Sequence, residues 1–214
     1  MAALHFAKLI KRGYLIILVL LATASLSCAQ APGNQSDVEW LIDVLDIESG
    51  SVVADIGAGD GEQTLAIAQH IGSEGTIYST ELGTESVKEL KQSVANTDNS
   101  NVIVIEGHPD RTNLSEECCD AVFLRRVYHH ITNPKAFNSS LFTSLKDGGR
   151  LAIIDFKPRG SEADPGERAS GSHHGVTIET VTQELTKAGF SLISSEDGVG
   201  RDIYVVMEKP KDSS

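Results

Sequence analysis

The hydrophobic positions of this chain change period repeatedly along its length. From Asp37, apolar residues fall at Val38, Leu41, Ile42 and Leu45, the spacing of a helix with one buried face, and Asp37 is placed to cap it. Ser51–Ile56 then reads Ser-Val-Val-Ala-Asp-Ile, a short and nearly continuous apolar run that predicts a strand buried on both faces. A helix over Glu62–Ile71, ended by Gly72, leads to a strand over Thr76–Thr80, a helix over Thr84–Ala95 and a strand over Val102–Glu106. Ala121–Arg125 is a fourth strand, Pro134–Leu145 a helix begun by Asn133 and stopped by Gly148-Gly149, and Arg150–Phe156 a fifth strand. Thr177–Ala188 is a helix ended by Gly189, and Phe190–Ser195 and Asp202–Glu208 are the final strands.

Strands alternating with helices in this order predict an α/β domain whose mostly parallel sheet is covered on both faces. Only Glu196–Arg201 joins the last two strands, too short for a parallel crossover, so the sheet is expected to end antiparallel. Lys157–Gly175, rich in Gly, Ser and charge, interrupts the alternation and reads as a long connection that could act as a lid.

Length and charge narrow the function. A chain of 214 residues suits one domain with a sizeable core. Its 30 Asp and Glu against 18 Lys and Arg leave a net charge of -12, and the only charged residues before Asp37 are the basic Lys8, Lys11 and Arg12. The acidic excess therefore belongs to the domain, a poor match for DNA or RNA phosphates, and nucleic acid is not expected as a partner. Of 3 cysteines, Cys118 and Cys119 are adjacent; they make no disulfide framework and are expected to pack just before the fourth strand.

The first residues read as an address. The basic residues precede the apolar run Leu15–Ala22, which gives way to small and polar residues through Cys28 and Ala29. The run is short of the roughly 20 residues that span a bilayer. The expected organisation is a signal peptide or membrane anchor over 1–29, a linker over 30–36, the domain over 37–209 and a tail over 210–214. It implies an exported or envelope-associated protein, with membrane attachment through the N-terminus or a lipidated Cys28 as an option, or else an anchored domain facing the cytoplasm.

The chemistry concentrates after the first strand, at Asp55-Ile56-Gly57-Ala58-Gly59-Asp60-Gly61. Open α/β sheets bind ligands beyond the carboxyl ends of their strands, and glycine there lets backbone approach a ligand closely. The third glycine stands one place too early for a dinucleotide fingerprint, and the Gly-Lys-Ser/Thr of a phosphate loop is absent. Asp55 disfavours a pyrophosphate and suits an ammonium or sulfonium. Glu81, after the second strand, can accept both hydroxyls of a ribose, and Glu106-Gly107-His108-Pro109-Asp110 adds a polar turn at the same edge. Together they suit a nucleoside that carries positive charge.

Asp55-Ile-Gly-Ala-Gly-Asp-Gly resembles motif I of the class I S-adenosylmethionine-dependent methyltransferases. Glu81, Asp120-Ala-Val-Phe-Leu and Leu145-Lys-Asp-Gly-Gly-Arg-Leu-Ala-Ile-Ile-Asp match further features of that family, and the resemblance spans about Asp37 to Lys209. Tyr128–Ile131, reading Tyr-His-His-Ile, is similar to a group of uncharacterised predicted methyltransferases. The resemblance implies a Rossmann-like seven-stranded sheet and S-adenosyl-L-methionine as cofactor. It also implies that Gly57, Gly59 and Gly61 lie along the methionine moiety, that Asp55 holds its amino group, and that Glu81 takes the ribose. The adenine contact falls to Asp110, with His108 the alternative.

Methyl transfer is an in-line displacement, and a base is needed only where the acceptor must lose a proton. His129 and His130 follow the fourth strand and are the candidate catalytic residues, although either could simply pack the turn. Arg125 and Arg126 could bind an anionic acceptor or pair with an acid. His173 and His174 could join the other two histidines near one mouth, but the spacing matches no established zinc pattern and no metal is expected. The Asn/Asp-Pro-Pro-Tyr motif of base methylation is absent. The expected function is methyl transfer to a small molecule, less so to a protein. The alternative is an exported, non-catalytic nucleoside-binding module of the same fold; an NAD(P)-dependent oxidoreductase is opposed by the glycine spacing and by Asp55.

Overall fold

A computed structural model describes residues 36–211. The expectations for the leader, Cys28 and most of the linker and tail fall on residues outside these. No helix among the described residues is long and apolar enough to cross a membrane. The strands are β1 (Val52–Ile56), β2 (Thr76–Glu81), β3 (Val102–Glu106), β4 (Cys119–Arg125), β5 (Leu145–Phe156), β6 (Ser191–Asp197) and β7 (Asp202–Glu208). The helices are α1 (Asp37–Val44), α2 (Glu62–Ile71), α3 (Thr84–Ala95), α4 (Pro134–Ser144) and α5 (Ile178–Lys187).

The strands form one 7-stranded sheet in the order β3-β2-β1-β4-β5-β7-β6. β1 to β5 pair parallel, whereas β7 runs antiparallel to both β5 and β6. The order reverses between β1 and β4, and there the loops after neighbouring strands diverge and leave a crevice.

The core follows from the two-residue period of strands. In β4, Val122 and Leu124 join Leu141 of α4 and Leu185 of α5 in one cluster, while Ala121 and Phe123 join Leu41 of α1 and Ile67 of α2 in the other. β5 and β7 alternate likewise, with Ile153 and Val205 on the first side and Ile154 and Val206 on the second. Fully burying each such side chain contributes roughly 1.5–3 kcal/mol, which explains why these strands read as unbroken apolar runs.

Several boundaries differ from expectation for physical reasons. Ser36, not Asp37, caps α1: its hydroxyl accepts from the Glu39 amide at 3.2 Å and the Glu39 carboxylate accepts from the Ser36 amide in return. The Asp37 carboxylate is taken by Arg125 at 2.6 Å and by the Tyr204 hydroxyl at 3.2 Å. α4 ends at Ser144 and runs directly into β5, so Gly148 and Gly149 stop no helix. They lie in a bulge between the Cys119–Leu145 and Ala121–Arg150 pairings, where a Cβ on Gly149 would lie 2.8 Å from the Lys146 carbonyl oxygen. β4 begins at Cys119, two residues earlier than expected, and Cys118 and Cys119 are joined by a disulfide that links neighbours and crosslinks no distant segments.

Candidate functional site

β1 delivers Asp55 to the α2 side of the sheet, almost fully buried. One carboxylate oxygen accepts from the Thr64 hydroxyl at 2.6 Å, and that hydroxyl also meets Ser79 of β2 at 2.8 Å. Burial pushes the Asp55 carboxyl up to about 7; the Thr64 hydrogen bond and Arg125 oppose the shift, and the charge of Glu81 adds to it. The chain then turns sharply through Gly57, Gly59 and Gly61, at φ of 73°, 57° and 84°. Gly57 is doubly constrained, because a Cβ there would lie 2.5 Å from a methyl of Val127. The Gly57 and Ala58 amides both donate to the Thr80 carbonyl, which pins the loop against β2.

Beyond these strand ends lies a cavity of about 280 Å³. Its wall takes Ile56 and Gly57 from the first loop, Thr80, Glu81 and Leu82 from the second, Gly107, His108, Pro109, Arg111 and Thr112 from the third, and Val127, His130, Ile131, Thr132 and Phe137 from the segment after β4. Of the residues singled out in the sequence, Gly57, Glu81, His108 and His130 are brought together on it. Asp55, Gly59, Gly61, Asp110 and His129 are not among its lining residues. The Asp110 amide donates to the His108 ring at 3.1 Å, so that turn presents His108 and Arg111 to the cavity and holds Asp110 beside it. Leu82, Arg111 and Phe137 carried no motif, and only their places next to strand ends could have marked them.

The far wall is built by the segment after β4. Arg125 pairs with Asp37, and Arg126, at a φ of 58°, pairs with Asp202 at 2.9 Å, so both arginines have acidic partners. A single 3₁₀ turn, Tyr128–His130, follows. The Tyr128 hydroxyl donates to Glu184 at 3.0 Å and accepts from Asn138 at 2.7 Å; burial, reinforced by the Glu184 charge, pushes its ionisation up. Glu184 in turn holds Arg168 at 2.7 Å. Burial opposes the charge of that guanidinium, but Glu184 outweighs it and the Arg168 ionisation moves up. Arg168 is 4% exposed, so the polar stretch 157–175 is strapped to α5 at its middle.

His129 is buried, and its Nδ1 lies 2.8 Å from the buried Asp155 carboxylate. Asp155 accepts as well from the His129 and Phe156 amides. His130 faces outward onto the cavity. Partial burial and then the neighbouring His129 pull its ionisation down, against the attraction of Asp155. His173, unlike His174, turns away to the Ser161 carbonyl.

Residues 54–153 match the sequence profile of the methyltransferase domain family. A structure of a SAM-dependent methyltransferase from Aquifex aeolicus superposes with a TM-score of 0.70 at 22% identity, covering 81% of this chain and 89% of that one. Residues 54–153 are thus similar to a methyltransferase domain, and the sheet as a whole has the fold of S-adenosylmethionine-dependent methyltransferases. The chain's sequence is also 24% identical over 117 residues to the ubiquinone/menaquinone biosynthesis C-methyltransferase UbiE of Marinomonas sp. (strain MWYL1), covering 54% of this chain and 47% of the relative. It is 24% identical over 149 residues to the arsenite methyltransferase of Halobacterium salinarum, covering 67% of this chain and 38% of the relative. The chain thus matches less than half the length of these curated relatives. The seven-stranded sheet with β7 antiparallel is the Rossmann-like fold expected of the family, and S-adenosylmethionine is the cofactor that goes with it.

Proposed function

We propose that the domain transfers a methyl group from S-adenosylmethionine to a small-molecule acceptor. The observation that carries this reading is the cavity wall itself, on which Gly57 and Glu81 meet His130. Glu81 accepts the ribose hydroxyls, the glycine loop lets the methionine moiety pass, and Asp55 takes the amino group, directly or through water. His108, on the wall, receives the adenine edge, with Asp110 behind it. The acceptor enters from the side of Val127 and His130. Its lone pair attacks the methyl carbon, the carbon–sulfur bond breaks, and the sulfonium becomes the neutral thioether of S-adenosylhomocysteine. An acceptor that must lose a proton gives it to His130. The apolar Ile56, Leu82, Val127, Ile131 and Phe137 keep water from the reacting atoms. The names of the quinone and arsenite methyltransferase relatives support a small acceptor.

Calorimetry of the full chain with S-adenosylmethionine and S-adenosylhomocysteine tests this. Both should bind in the micromolar range, and Glu81→Ala should weaken both tenfold or more, because a hydrogen bond to a charged group is worth roughly 1.5–3 kcal/mol. His130→Ala should leave cofactor affinity unchanged and slow turnover. A folded protein that binds neither ligand at millimolar concentration would sink the reading and favour a binding module for another ligand.

A further inference from the structure

The turn after β4 holds more imidazole than one proton transfer needs. His129, His130 and His174, the last from the end of the strapped segment, present ligand nitrogens that all lie within 4.8 Å of one another. The Nε2 atoms of His129 and His174 face each other at 3.0 Å. Behind them stands Asp155, which already accepts two backbone amides and takes the Nδ1 proton of His129 at 2.8 Å. That contact fixes the tautomer: the Nε2 of His129 carries a lone pair, which is turned toward the Nε2 of His174. A carboxylate gripping the far nitrogen of a buried histidine, whose near nitrogen converges with two more imidazoles, is how proteins prepare a ligand set for a transition metal.

We propose that His129, His130 and His174 bind one divalent transition-metal ion, zinc being the ion that three neutral imidazoles with an open fourth position suit best. Zinc–nitrogen bonds of about 2.0–2.1 Å require the three nitrogens to close in on the ion, which asks most of His130, the exposed member of the set. Since His130 also lines the cavity, the open position sits at its rim, where an oxygen or sulfur of the acceptor can be held. With the ion bound, the His130 lone pair is on the metal, and the ion's charge, not His130 as a base, makes the acceptor easier to deprotonate. That last placement rests on reading the cavity as the methyl-transfer site; metal binding itself does not.

The test uses the full chain, stripped of metal with a chelator and titrated with cobalt(II) and then zinc. One cobalt ion per chain should give the visible absorption of a low-coordinate, nitrogen-bound ion, and zinc should displace it. His174→Ala and His130→Ala should each weaken zinc binding at least tenfold, Asp155→Asn should weaken it by roughly 10–100-fold, and His173→Ala should leave it unchanged. Should Asp155→Asn fail to fold, the two histidine variants nearer the surface carry the test. No zinc binding by folded protein at submillimolar ion would overturn the site, as would binding that survives both His130→Ala and His174→Ala. Calorimetry with S-adenosylhomocysteine on the same samples reads the cofactor site separately, so either idea can fail alone.

Discussion

Asp55 and Asp155 stand in matching places near the carboxyl ends of β1 and β5, on opposite faces of one sheet, and both are almost fully buried. Their surroundings differ. Among the described residues Asp55 has one donor, the Thr64 hydroxyl, while Asp155 accepts from two amides and from the His129 ring. An ionised carboxylate can accept about four hydrogen bonds, so Asp55 keeps most of its capacity in reserve and Asp155 has used nearly all of it. Under the proposed function the first meets a cation that comes and goes, whereas the second holds an imidazole in one orientation. On that reading, equal burial serves a binding group in one place and a positioning group in the other.

The largest effect that could break this contrast is on stability. Asp155→Ala strands three donors in a dry site and should cost about 3 kcal/mol, since each unsatisfied buried group costs roughly 1–3 kcal/mol and water recovers part of it. Asp55→Ala should cost less than about 1 kcal/mol at pH 8, because it loses one hydrogen bond and removes a charge that the site disfavours. Urea denaturation of both variants measures the difference; equal losses would erase the distinction.

Next comes cofactor affinity. Asp55→Asn keeps the shape and removes the charge, and should weaken S-adenosylhomocysteine binding about tenfold at pH 8, measured by calorimetry. The pH dependence sharpens the same point. A carboxyl that titrates at about 7 when folded, against 3.8 as its ordinary value, holds its proton more tightly in the native state. Its contribution to stability is therefore complete below pH 4 and is lost as the pH rises to about 7. Ligand binding runs the other way: an ammonium needs the carboxylate, so affinity should fall by up to about tenfold per pH unit below 7 in the native sequence and stay flat in Asp55→Asn. The smallest effect belongs to a surface pair: Arg125→Ala breaks the part-buried contact with Asp37 and should cost under about 1 kcal/mol, with cofactor affinity falling slightly near pH 7 because Arg125 helps to keep Asp55 ionised.

Local features of the fold were legible in the sequence, and features that depend on distant partners were not. Among the described residues the alternation of periods located each strand and α-helix, though neither 3₁₀ turn, and the glycine loop with Glu81 pointed to one edge of the sheet, because each signal is complete within a few residues. Asp155 ends a stretch that resembles the methyltransferase family but reads as having no role of its own, since its partner His129 lies on another strand's exit and nothing in either neighbourhood names the other. His174 drew attention in sequence for its place beside a glycine-rich stretch, yet its approach to His129 depends on how that stretch is strapped by Arg168. Gly148-Gly149 misled because a glycine pair signals a helix end and a bulge equally well, and packing against Asp120 and Lys146 decides between them.

The position of β7 bears on how the protein is made. Residues 202–208 are the last to enter the sheet in chain order, yet they lie inside it, between β5 and β6. Until they emerge, β5 presents an open hydrogen-bonding edge backed by Leu151 and Ile153, and β6 has no neighbour at all. Synthesis that stalls before residue 202 therefore leaves a chain with its cofactor loop complete and its sheet exposed, a species prone to pair with its own kind and in need of chaperones until the missing strand arrives.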